Sequence, residues 1–201
     1  LSSVTQKSIA GGLNYRRIWN DNLSTILNIY ETDYKLQATN SNVLAEQRFL
    51  QENIVSETGI KLEALYNYNL WKFKVGYNFI ETEVVNLNDI DIPRFVRRDE
   101  EVLREHVVFG QTEFQNINRT LSIRTGLRVN YIDDFEKILA EPRLSIRNTL
   151  GDHLEIEILG EFKHQNTTQI VNFQNDFLGI EKRRWQLTDN DSIPILKSKQ
   201  A

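Results

Sequence analysis

The side chains able to do chemistry are few and poorly spaced for it. His106, His153 and His164 show no metal-ligand spacing and no accompanying carboxylate pattern. Glu105-His106 reads as a surface pair rather than a site. Cysteine is absent, which removes thiol catalysis, disulfides and thiolate-bound zinc. No Gly-x-Ser-x-Gly elbow, phosphate-binding P-loop or dinucleotide fingerprint occurs. Asn118-Arg119-Thr120 and Asn166-Thr167-Thr168 match the N-glycosylation tripeptide, which is common by chance, and Asn118 falls in a tight turn. The sequence gives catalysis no support. Its charge instead recurs at alternate positions: Lys72 and Lys74, Arg124 and Arg128, Arg143 and Arg147, then Glu155, Glu157 and Glu161. Glu and Arg facing each other on adjacent strands contribute a few tenths to about 1 kcal/mol per pair. Such a face is either an ordinary solvated sheet surface or the polar lining of a wide barrel.

The elements that carry these charges are strands. Over Thr120 to Gln165, Leu121, Ile123, Thr125, Leu127, Val129 and Tyr131 share one parity against Ser122, Arg124, Gly126, Arg128 and Asn130. The pattern returns in Leu154, Ile156, Ile158, Gly160 and Phe162. A period of two places successive side chains on opposite faces of a strand. Similar runs are expected at Ile9–Trp19, Leu23–Leu36, Arg48–Asn67, Leu70–Ile80 and Leu103–Gln115, with a partial ninth strand starting at Ile193. Asn and Asp mark short turns at 20–22, 67–69, 116–119 and 150–153. Longer polar loops are expected at 37–47, 84–101, 133–140 and 166–192, the last carrying Asp176 and Gly179. Short turns on one side and long loops on the other are the habit of a bacterial membrane barrel. The runs within Thr120 to Gln165 are each about 10–12 residues, the length a tilted strand needs to cross a bilayer. The expected fold class is all-β, an antiparallel up-and-down transmembrane β-barrel segment.

Composition sets the outer bounds. The 201 residues carry a net charge of −4 and are 26% charged, too acidic for a nucleic-acid surface. No window of about 18 apolar residues exists, so no transmembrane helix is expected. A mean hydropathy of −0.46 is compatible with a membrane barrel, because half of each strand faces water. No signal peptide opens the chain, and an exported barrel needs one, so the chain is expected to be an internal segment of a longer protein. A soluble sandwich or lipocalin-like barrel is the rival reading. Two features favour the membrane: long runs, and aromatics in two bands. Trp19, Tyr66, Tyr68, Trp71 and Phe114 lie near the short turns; Tyr77, Phe79, Tyr131 and Phe162 lie toward the opposite ends.

With these residues in hand, the chain resembles the TonB-dependent outer-membrane receptors. The likeness rests on Gly126-Leu127-Arg128-Val129-Asn130-Tyr131, a short loop, Glu141-Pro142-Arg143-Leu144-Ser145-Ile146-Arg147, then Leu150-Gly151-Asp152-His153-Leu154. Glu181 to Trp185 and Ile193 to Gln200 are similar to that family's loop-to-strand segments. The resemblance implies one stretch of a 22-stranded barrel, with residues 1–201 in a single barrel domain. The plug, the TonB box and the closing strands would lie outside this chain. It further implies no enzyme activity, no cofactor and no metal, and residence in the outer membrane of a Gram-negative bacterium. The implied partners are outer-membrane lipid, TonB acting through the plug, and a scarce extracellular ligand such as a siderophore, cobalamin, an oligosaccharide or a peptide; nucleic acid is not among them. External-loop contacts to that ligand would fall on Asp89, Asp91, Arg97, Arg98, Arg183, Arg184 and Trp185. Arginine can grip carboxylate or phosphate oxygens bidentately, and tryptophan can stack on a sugar or ring. A passive porin-like channel, an autotransporter translocator and an outer-membrane enzyme are the alternatives.

Overall fold

Asn residues close the hairpins at 20–22, 67–69 and 116–119 where the sequence puts them. A computed structural model describes residues 2–42, 47–151, 154–172 and 182–200; His153, Asp176 and Gly179 lie outside them. The strands are β1 (Ser2–Ile18), β2 (Leu23–Asn42), β3 (Gln47–Tyr68), β4 (Trp71–Ile90), β5 (Phe95–Gln115), β6 (Leu121–Ile132), β7 (Lys137–Leu150), β8 (Leu154–Gln165), β9 (Thr167–Asn172), β10 (Lys182–Leu187) and β11 (Leu196–Gln200). Asn20 Oδ1 accepts the backbone N–H of Asn22 and of Leu23, at 2.9 and 2.8 Å. Asn69 takes the left-handed conformation, φ 52°, that lets two residues join β3 to β4. Asn116 Oδ1 accepts the N–H of Leu121 at 3.0 Å.

Each strand pairs antiparallel with the next, giving one nine-stranded up-and-down sheet in the order β1-β2-β3-β4-β5-β6-β7-β8-β11. The hairpin β9–β10 forms a separate two-stranded sheet. Among the described residues β1 and β11 each have one neighbour, so the sheet is open. The register fixes two faces. Successive partners Ile29, Ile60, Phe79, His106, Tyr131 and Ile138 lie on the outer face. Lys74, Gln111, Gly126 and Arg143 form a row of the inner face. The inner face is concave: His164 of β8 comes within 3.5 Å of Glu105 on β5, although three strand spacings on a flat sheet would separate them by about 14 Å.

The structure corrects the expected loops. Most of 37–47 and 84–101 is strand, since β2 runs to Asn42 and β4 to Ile90, with a turn only at 91–94. Only the 3-10 turn Asp133–Phe135 and Glu136 interrupt the chain before β7, not 133–140. The stretch 166–192 contains β9 and β10, and the ninth sheet strand begins at Leu196, not Ile193. Alternation is visible only where the two faces meet different surroundings. Beyond residue 31 of β2 the outer face turns polar, and beyond 81 of β4 it mixes Glu83 and Asp89 with Val85 and Leu87, so the clean period is lost while the hydrogen-bonded ladder continues.

Candidate functional site

Apolar packing is concentrated at the far end of the inner face, away from the short turns. Val84, Leu103, Ile132 and Leu139, one from each of β4 to β7, meet Leu187 and Ile195, with Val55, Phe135 and Trp185 packed against them. The hairpin β9–β10 roofs this part of the concavity. Its backbone is tied down: Asn86 Nδ2 donates to the Trp185 carbonyl at 2.8 Å, and the Leu187 N–H donates to Glu101 Oε2 at 3.3 Å. The chain after the hairpin closes on Asp189, which accepts from the Ser192 hydroxyl and from the N–H groups of Asp191 (2.9 Å) and Ile193 (2.7 Å). These donors hold the Asp189 carboxyl down at about 2.

Below the roof lies a buried charged cluster that pattern reading missed. Pro142 has no N–H to give, and the β7–β8 ladder starts one residue later, at Arg143 opposite Glu161. Beyond it the His164 backbone N–H donates to Glu141 Oε1 at 2.8 Å, and the His164 ring Nδ1 sits 2.7 Å from the same oxygen. His164 Nε2 faces Glu105 at 3.5 Å, and Glu105 accepts from Asn166 Nδ2 at 2.6 Å. Arg128 lies 3.6 Å from Glu141 and donates to Asn130 Oδ1 at 2.8 Å. Glu141 and Asn130 are buried. The Asn166 carbonyl accepts the Thr188 N–H at 2.8 Å, which joins this cluster to the base of the roof. Strict alternation from Phe162 would turn His164 outward. The proline inside an alternating strand was the one signal that the ladder breaks there. Glu105 and His106 are not a surface pair. Glu105 points inward, while His106 sits on the outer face with Tyr77 Oη 2.7 Å from its Nδ1. No three His, Cys, Asp or Glu side chains among the described residues could hold a metal ion.

The residues expected to contact ligand are divided by the sheet. Asp89 lies on the outer face of β4 and Asp91 in the 91–94 turn, and Arg48 pairs with both at 3.1 and 3.3 Å. Arg94 also pairs with both. Arg98 is outer and pairs with Glu100 at 2.9 Å. Arg97 is inner and pairs with Asp99 at 2.9 Å, and Arg184 of the roof approaches the same carboxylate at 3.8 Å. Arg183 stands opposite Val171 in the hairpin register. Trp185 contributes to the apolar cluster rather than standing free as a stacking platform. The structure therefore gathers Arg97, Arg184 and Trp185 at the roof and leaves Asp89, Asp91 and Arg98 outside it.

The outer face is built differently. Val75, Val108, Leu127 and Ile158 are 55, 61, 49 and 60% exposed in one continuous apolar band. At the short-turn margin Trp71 packs against Phe73 and Phe114, and Tyr66 against Tyr68 and Phe73. At the other margin His106 contacts Tyr77, Phe79 and Tyr131. Two residues further along, the register row becomes Glu31, Thr58, Glu81 and Arg104. Arg104 pairs with Glu81 at 2.6 Å, and its backbone N–H donates to Asp134 at 3.1 Å.

No protein-family model matches the chain, and no curated protein matches it. Among solved structures the chain is similar to the siderophore receptor PirA from Pseudomonas aeruginosa, at 10% identity and a TM-score of 0.44. The likeness covers 81% of this chain and 34% of that receptor.

Proposed function

We propose that this chain is a stretch of wall and outer rim of an outer-membrane β-barrel that takes up a scarce ligand. The observation that carries the reading is the outer face: an exposed apolar band with a ring cluster at each margin, giving way to ion pairs at Glu81 and Arg104. Trp71 to Phe79 spans about 26 Å along the strand, or about 20 Å of height at a 40° tilt. With the width of the rings this approaches the roughly 25 Å apolar band of an outer-membrane barrel. Water would penalise so large a contiguous apolar surface. Lipid would not.

The unpaired edges of β1 and β11 among the described residues support a larger barrel, into which further strands would continue the sheet. The roof over the inner face favours gated uptake over an open passive pore. Dependence on TonB, a plug and a 22-strand closure follow from the family resemblance of the 126–131 and 141–147 segments. Capture of the ligand at the rim would then use Arg97 and Arg184, which share Asp99 beside Trp185. Nitroxide labels test the membrane placement. In the bilayer-inserted protein, labels at Phe73 and Leu127 should be quenched by oxygen dissolved in lipid, and labels at Lys72 and Arg128 by an aqueous nickel chelate. Water exposure at Phe73 and Leu127 overturns the reading.

A further inference from the structure

We propose that the inner face carries a binding site for a small oxyanion, phosphate or carboxylate in type, seated over Gly126. Lys74, Gln111, Gly126 and Arg143 are successive partners across β4 to β7, and all four point inward. The glycine leaves a gap in the row between Gln111 and Arg143. A Cβ at this position would stand 3.2 Å from the Gly110 carbonyl oxygen and 3.4 Å from Arg143 Cγ. The gap opens into a cavity of about 240 Å³, room for a phosphate or a small polycarboxylate.

Charge decides what that cavity accepts. Its lining includes four cations, Lys61, Lys74, Arg128 and Arg143, against one carboxylate, Glu63. Glu63 is taken by Lys74 at 2.9 Å, and Arg128 leans toward Glu141 at 3.6 Å. Lys61 lies over the Tyr30 ring, 4.5 Å from its centroid. Arg143 stands opposite Glu161 in the register, but Glu161 is held by Lys163 at 2.6 Å. Among the described residues neither Lys61 nor Arg143 has a carboxylate partner. Among the described residues the Nε of Arg143 is buried with no acceptor. A buried donor without an acceptor is costly in the empty state, and an oxyanion that takes the guanidinium fork removes that cost. The Gln111 amide can supply a neutral N–H from the other side of the gap.

The folded chain in zwitterionic micelles at low salt gives the test, and it reads the inner face whether or not the outer face meets lipid. Inorganic phosphate is titrated and followed by ³¹P line broadening, with a parallel citrate titration followed by ¹H broadening. Saturable binding of at least one anion is expected. Arg143→Gln should weaken it by about tenfold or more, as loss of a charge-assisted hydrogen bond does. Arg147→Gln removes a guanidinium already paired with Glu155 and Glu157, at 3.4 and 3.3 Å, and should leave binding unchanged. Lys61→Gln, at a side chain free of ion pairs, should weaken binding several-fold and serves if Arg143→Gln does not fold. Absence of saturable binding to either anion overturns the site. Equal losses in the Arg143 and Arg147 variants also overturn it, because they would show a diffuse cationic face.

Discussion

The two ends of the sheet obey the same backbone rules and have opposite surfaces. Near the short turns, from Trp71 to Tyr77 on β4, the outer side chains are apolar and exposed while the inner ones include Lys72 and Lys74. Beyond Glu81 the outer face of β4 mixes Glu83 and Asp89 with Val85 and Leu87. The outer face carries ion pairs such as Lys35–Glu52 at 2.7 Å, and the apolar residues Val84 and Leu103 turn inward under the hairpin. On the proposed membrane placement, the outside of the first half meets hydrocarbon and the outside of the second meets water. One hydrogen-bonded ladder runs through both halves without a break.

The sharpest way to break this contrast is to place the same charge on the outer face of each half. Leu127→Arg should cost about 2–4 kcal/mol in urea unfolding of the bilayer-folded protein, the depth-dependent penalty for an arginine facing lipid. Val96→Arg, also outward but in the far half, should stay within about 0.5 kcal/mol. Equal costs would erase the distinction between the halves. Removing an inner apolar contact comes next. Leu103→Ala should destabilise by about 2 kcal/mol, at the low end for a buried leucine because the roof can settle onto the void. Hydrogen exchange at amides of 182–187 should speed up with it, while exchange in β1 stays as it was.

At the boundary itself, Glu81→Ala unpairs Arg104 and should cost less than about 1 kcal/mol, fading as salt is raised. A large, salt-insensitive loss would mean that this level is buried. The smallest effect concerns the chain that follows the roof. Asp189 is held at about 2 against an ordinary 3.8, so its contribution to the turn is complete above the ordinary value. It is lost as pH falls through about 2. Protection of the Ile193 amide should therefore decline between about pH 4 and pH 2, and Asp189→Asn should abolish that acid step without moving exchange in β4.

The same contrast explains what could be read in advance. Strand pairing in the short-turn half was legible because Trp71, Phe73, Val75, Tyr77 and Phe79 alternate with Lys72, Lys74, Gly76 and Asn78. The short turns at 20–22, 67–69 and 116–119 are legible from Asn and Asp, while Asp152 and His153 of the turn expected at 150–153 lie outside the described residues. The far half read as loop, since the outward Glu81 and Glu83 break the period while β4 continues to Ile90. Among the candidate ligand residues, composition located the rim but not the face. Arg97 and Arg98 are adjacent in sequence and project to opposite sides of β5, and only the register assigns Arg97 to the roof with Asp99. No carboxylate pattern accompanies His164 in the sequence, because its partners Glu105 and Glu141 come from strands and lie 59 and 23 residues away.

What the sequence determined by itself is the period of two, the hairpin turns and the segregation of greasy and charged side chains. All three are local consequences of strand geometry and side-chain type. What only the tertiary structure decided is which distant strands curl together. The Glu105–His164–Glu141 contact, the roof over Val84 and Leu103, and the gap at Gly126 all depend on curvature and cross-strand register. Those are properties of many residues acting at once, and no short window of the chain contains them.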